Sequence, residues 1–138
     1  MSTPKQPYTV EWHSSDKKIC VITVLEDNWD WEIAVEAIQK QVELCETVEH
    51  PVHVVFHFKV RSNIPRQGAF QNLPRLMKYR APNEDLGIFV GFNAMLSMLL
   101  QTAGKIYGLR ELVAKYRFVD TMQEALAEIE RYEAAQST

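Results

Sequence analysis

The chain has 138 residues, 46% of them apolar and 24% charged, with a formal charge of −3. That length is one domain rather than two, able to bury about two-thirds of its unfolded surface without a disulfide or metal to hold it. The composition excludes an intrinsically disordered body, so the domain is expected over residues 8–133, with 1–7 and 134–138 as loose ends.

Residues 8–13 and 18–26 are rich in β-branched and aromatic side chains and are separated by Ser14-Ser15-Asp16-Lys17, the pattern of a β-hairpin. An amphipathic helix is predicted over residues 29–47. Its stripe Trp31, Val35, Ile38, Val42 and Cys45 steps by four and three, and Asp27 or Asn28 is expected to cap it. His50-Pro51 stops that helix, and a strand is expected over residues 52–58. Residues 59–80 contain no acid; their later half (Phe70, Leu73, Leu76, Met77) is helical in pattern, with Pro74 either kinking the helix or lying in its first turn. Residues 82–85 read as a loop, and 86–92 as a central strand apolar on both faces. Asn93 then caps a broad apolar helix carrying Met95, Leu96, Leu99, Leu100, Ala103 and Ile106. A short turn of helix follows Gly108, and a strand is expected over 117–120. Thr121 and Glu124 form a capping box for a last helix that buries Met122, Ala125, Leu126 and Ile129. Strand and helix alternate from Lys18 onward, which implies right-handed crossovers and a mainly parallel sheet.

The run PVHVVFHF with the loop KVRSNIPRQG, the strand–turn–helix GIFVGFNAML and the closing YRFVDTMQEALAEI resemble a STAS domain, the SpoIIAA-like fold of bacterial anti-sigma-factor antagonists. The resemblance implies an α/β fold with a mainly parallel sheet, an N-terminal hairpin and about four helices. It also implies a non-catalytic regulatory module that binds another protein. In the best-known members a serine just before a glycine at the start of the second helix is phosphorylated by a partner kinase. With Gly68 on that glycine, Arg66 and Gln67 stand where aspartate and serine would, so the phosphoacceptor is missing; Ser62 lies earlier in the loop.

Charge placement is the most informative feature. Residues 59–80 hold six cations (Lys59, Arg61, Arg66, Arg75, Lys78, Arg80) and no acid, whereas residues 26–49 hold eight acids and Lys40 alone. The simpler account is that the first two helices are neighbours and neutralise each other. The functional account puts the basic loop at the C-terminal edge of the parallel strands, where open α/β sheets bind ligands. There Lys59, Arg61, Ser62, Asn63 and Arg66 would meet a small anion or an acidic partner, with Gly68 and Asn93 at the starts of the flanking helices.

Other chemistries have thinner support. Six cations without interleaved aromatics, in a mildly acidic chain, do not make a nucleic-acid footprint. His53 and His57 share one strand face about 13 Å apart, too far for one metal, and no carboxylate stands at a spacing that would orient either ring. They read as a polar stripe on the less covered face of the sheet. Cys20 and Cys45 have no metal or redox spacing and read as buried thiols. No nucleophile elbow, dinucleotide fingerprint or phosphate loop is present, and the acid pairs Asp27/Asp30 and Glu84/Asp85 read as capping and solvated groups. Trp31 is placed on the buried stripe; an exposed Trp29 beside Phe92 or Tyr107 would mark a partner surface. No cofactor is called for.

The expected function is therefore recognition of a protein partner, the alternative a carrier for a small anion or lipid, and an enzyme third. The longest apolar stretch, residues 86–100, is too short and too interrupted by Gly87, Gly91 and Asn93 to span a bilayer, and the first thirteen residues have no apolar core of signal-peptide type. A cytoplasmic location is expected, with a homodimer favoured over a monomer.

Overall fold

The computed structural model describes residues 8–25, 30–59, 69–91, 94–106 and 108–136. The chain order is β1 (Tyr8–Trp12), β2 (Ile19–Val24), α1 (Trp31–Cys45), β3 (Val52–Phe58), α2 (Ala69–Lys78), β4 (Glu84–Val90), α3 (Ala94–Ile106), α4 (Arg110–Val113), β5 (Tyr116–Val119) and α5 (Met122–Gln136). The five strands form one sheet in the order β1-β2-β3-β4-β5. β1 is antiparallel to β2, and the remaining neighbours are parallel. The α/β architecture with a hairpin leading into a mainly parallel sheet is thus as expected.

Because each parallel step moves to the next strand in the same direction, crossovers of one hand place their helices on one face of the sheet. The packing agrees. Ala37 and Cys45 of α1 pack with Cys20, Ile22 and Val54, while Met77 of α2 and Leu100 and Ala103 of α3 pack with Phe89. The register puts Val54 beside Gly87 and Phe56 beside Phe89, so these residues share that face. The ring of Phe89 stacks between Phe56 and Phe118. The opposite face, bearing Val21, Val55, Leu86, Ile88 and Val90, is covered by Ala125 and Ile129 of α5.

Element ends differ from the sequence reading for local reasons. α1 begins at Trp31 because Asp30, not Asp27 or Asn28, is its cap: Asp30 Oδ1 accepts from the Ile33 N–H at 2.9 Å. β4 begins at Glu84 and β5 at Tyr116, each earlier than the apolar pattern suggested. α2 continues through position 74, beyond its first turn, so Pro74 is inside the helix. The capping box forms with one change of partner. Thr121 Oγ1 accepts from Glu124 N, but the Glu124 carboxylate takes the N–H of Asp120 rather than that of the cap itself.

Candidate functional site

The C-terminal edge of the parallel strands is built from the ends of β3 and β4. Gly91 adopts φ +81° there, and a Cβ on it would stand 2.8 Å from the Phe58 carbonyl oxygen, so only glycine lets the two strand ends approach. Lys59 is exposed at this edge, its N–H donated to Val24 O. Arg61, Ser62, Asn63, Arg66, Gly68 and Asn93 lie outside the described residues, as do Trp29, Phe92 and Tyr107.

The opposite edge, at the N-terminal ends of β3, β4 and β5, carries a constellation that the sequence reading did not single out. Glu84 is not a solvated loop acid. Its carboxylate accepts the Ala81 N–H, and burial raises its pKa, with Ala81, the Gln41 side chain and the Arg80 charge pulling the other way. Gln41 is 1% exposed in the middle of the buried face of α1, where its Nε2 donates to Cys45 Sγ at 3.1 Å. Cys45 in turn contacts Cys20; that contact, followed by burial, pushes the Cys20 thiol up, which makes it a poor nucleophile. Gln41, Phe56, Met77, Arg80, Glu84 and Tyr116 line a cavity of about 30 Å³, room for little more than water.

Arg80 joins this cavity to a much larger open groove of about 630 Å³, lined also by Leu109, Arg110, Glu111, Leu112 and Lys115. α3 and α4 pack closely at Gly104. A Cβ there would collide with the Val113 side chain, and Gly104 O accepts the Leu109 N–H at 2.7 Å. Arg80 Nη2 donates to Glu84 O at 3.2 Å, with a longer contact to Asp85 O. Lys115 Nζ donates to Asp85 Oδ1 at 2.7 Å and to Tyr132 Oη at 3.1 Å, and Tyr132 Oη donates to the same Asp85 oxygen at 2.7 Å.

The histidines need a correction. His53 and His57 do share a sheet face, since they register with Ile19 and Thr23. His53, however, is 3% exposed beneath α5, and a carboxylate does orient it: Nε2 meets Glu133 Oε1 at 3.1 Å while Nδ1 accepts the Leu86 N–H at 3.3 Å. That second contact fixes the ring tautomer with its proton on Nε2. The ring also packs edge-on against Tyr132. Among the described residues no group of three or more His, Cys, Asp or Glu side chains could hold a metal ion.

The outer face of α3 is the remaining feature. Leu100 and Ala103 point inward, whereas Met98 and Ile106 are 63% and 64% exposed. Eight residues separate them, a rise of about 12 Å, with exposed Thr102 between on the same face. Exposed Lys105 stands beside Ile106, and the groove opens just beyond.

No family model, no curated protein and no solved structure matches this chain. No helix among the described residues is long and apolar enough to cross a membrane.

Proposed function

We propose that the chain is a recognition module of STAS type, a cytoplasmic regulatory domain that works by holding a protein partner. The observation that carries the reading is the outward face of α3. Single exposed apolar residues are ordinary on protein surfaces. Two large ones on one helical face, beside cations and a groove lined in part by Leu109 and Leu112, fit the usual pattern of an interface: apolar anchors with a charged rim. The mobile thioether of Met98 suits such a role, because it adapts to a partner's shape. The charges beside the anchors favour an acidic partner surface.

The test separates binding from folding. Met98→Ser with Ile106→Ser removes mostly exposed apolar atoms, so the melting temperature is expected to stay within a few degrees of the parent. Retention of the protein's partner on the immobilised double variant is expected to fall at least about tenfold. Unchanged retention would contradict the assignment of this face.

A further inference from the structure

We propose that the groove at α4 binds a small organic anion, a phosphate or carboxylate carried on an apolar body, through Arg80, Arg110 and Lys115. Its volume of about 630 Å³ suits a metabolite-sized ligand. Among its lining residues, Leu109 and Leu112 offer an apolar contact and Arg80, Arg110 and Lys115 offer positive charge.

Two of those cations are held ready for an anion. Arg80 is held by backbone carbonyls, which fix the guanidinium without cancelling its charge. The nearest buried carboxylate, Glu84, turns to Ala81 and Gln41. Neither Arg80 nor Arg110 forms an ion pair among the described residues. Lys115 does, with Asp85, and the Tyr132 hydroxyl holds it as well; among the described residues two of its three N–H donors are engaged and one is left. Two of the three cations are thus positioned in advance, which reduces the ordering cost of binding. A planar guanidinium also matches the paired oxygens of phosphate or carboxylate. Among the described residues Glu111 is the single acid lining the groove, and it is exposed.

The groove adjoins the α3 face, but its ligand is argued from the three cations alone and does not depend on the partner reading. The probe is 1-naphthyl phosphate, titrated into the full chain at low salt and followed by amide NMR. Inorganic phosphate, 1-naphthol and a glutamate-rich peptide serve as comparison ligands. Saturable shifts are expected at residues 108–112, with binding at least about tenfold tighter than for phosphate or 1-naphthol. Arg110→Ala, at an exposed position where folding is not at stake, is expected to weaken binding about tenfold, and Arg80→Lys several-fold. Arg131→Ala on α5 and the Met98/Ile106 double variant are expected to change nothing. Absence of saturation would overturn the proposal, as would affinity undiminished by both arginine variants. Binding of the peptide but not the naphthyl phosphate would assign the cations to a protein partner and overturn it equally.

Discussion

Asp85 shows how far a residue's chemistry depends on groups remote in sequence. Read along the chain, it is one of two adjacent acids in a turn. In the fold it receives Lys115 from the start of β5 and Tyr132 from α5, and so ties three elements together. Burial opposes its charged form, but the hydrogen bonds from Lys115 and Tyr132 outweigh that and hold its pKa below the ordinary 3.8. A carboxyl with a lowered folded-state pKa contributes stability that is complete above the unfolded value. That contribution is lost as pH falls through the folded value. Asp85→Asn is accordingly expected to reduce stability at neutral pH and to flatten its decline below pH 3.8. Urea unfolding from about pH 7 down to about pH 2 measures both, and an acid decline as steep as the parent's would show that Asp85 is not the group responsible. Its neighbour Glu84 has the opposite sign: burial raises its pKa, so its contribution diminishes as pH rises through that value.

At the scale of elements, periodicity made most of the architecture legible. The stripe on α1, the alternating β2 and β3, the doubly apolar β4 and the capping box of α5 each imply one conformation, and the sheet follows from their alternation. What periodicity did not convey were contacts between elements. Gln41 sits on the buried line of α1, where a polar residue reads as a break in the stripe, yet it bonds Cys45 there. His53 looked solvent-facing because Glu133 lies 80 residues away. Asn83 is the most consequential omission. Its Nδ2 reaches the carbonyls of Cys45, Val48 and His50 at 2.8–3.0 Å, gathering the turn between α1 and β3, while its own carbonyl accepts the Val52 N–H. Asn83→Ala is expected to cost about 2–3 kcal/mol, since several carbonyls lose a donor together. The urea midpoint should fall with an unchanged denaturant slope; a loss below about 0.5 kcal/mol would mean the turn holds without it.

Across the whole molecule, charge is segregated over longer stretches than the two sequence windows suggested. Between Lys59 and Arg117 the chain holds ten basic and three acidic residues; the rest holds five basic and fifteen acidic. The strand order turns this into geometry. Acidic α1 packs against β1 and β2 at one end of the sheet, α2, α3 and α4 occupy the other end of the same face, and α5, with four glutamates, covers the reverse. α1 and α2 do meet, so the neighbour account holds for their contact, although no ion pair among the described residues joins them. It does not reach α4, where Arg110 has no ion-pair partner among the described residues. The crevice expected at the C-terminal strand edge is represented among the described residues by Lys59 alone. The groove at the opposite edge was not legible because its cations, Arg80, Arg110 and Lys115, come from separate elements and only the fold gathers them.

The outer face of α3 is proposed as the place where this protein meets a partner. Site-specific photo-crosslinking tests it most directly, with benzoylphenylalanine placed in turn at positions 98, 106 and, as a control on α5, 130, in cells of the source organism. One discrete heavier adduct is expected from positions 98 and 106 and none from 130. Adducts equally frequent at all three positions, or a product of two copies of this chain alone, would contradict it.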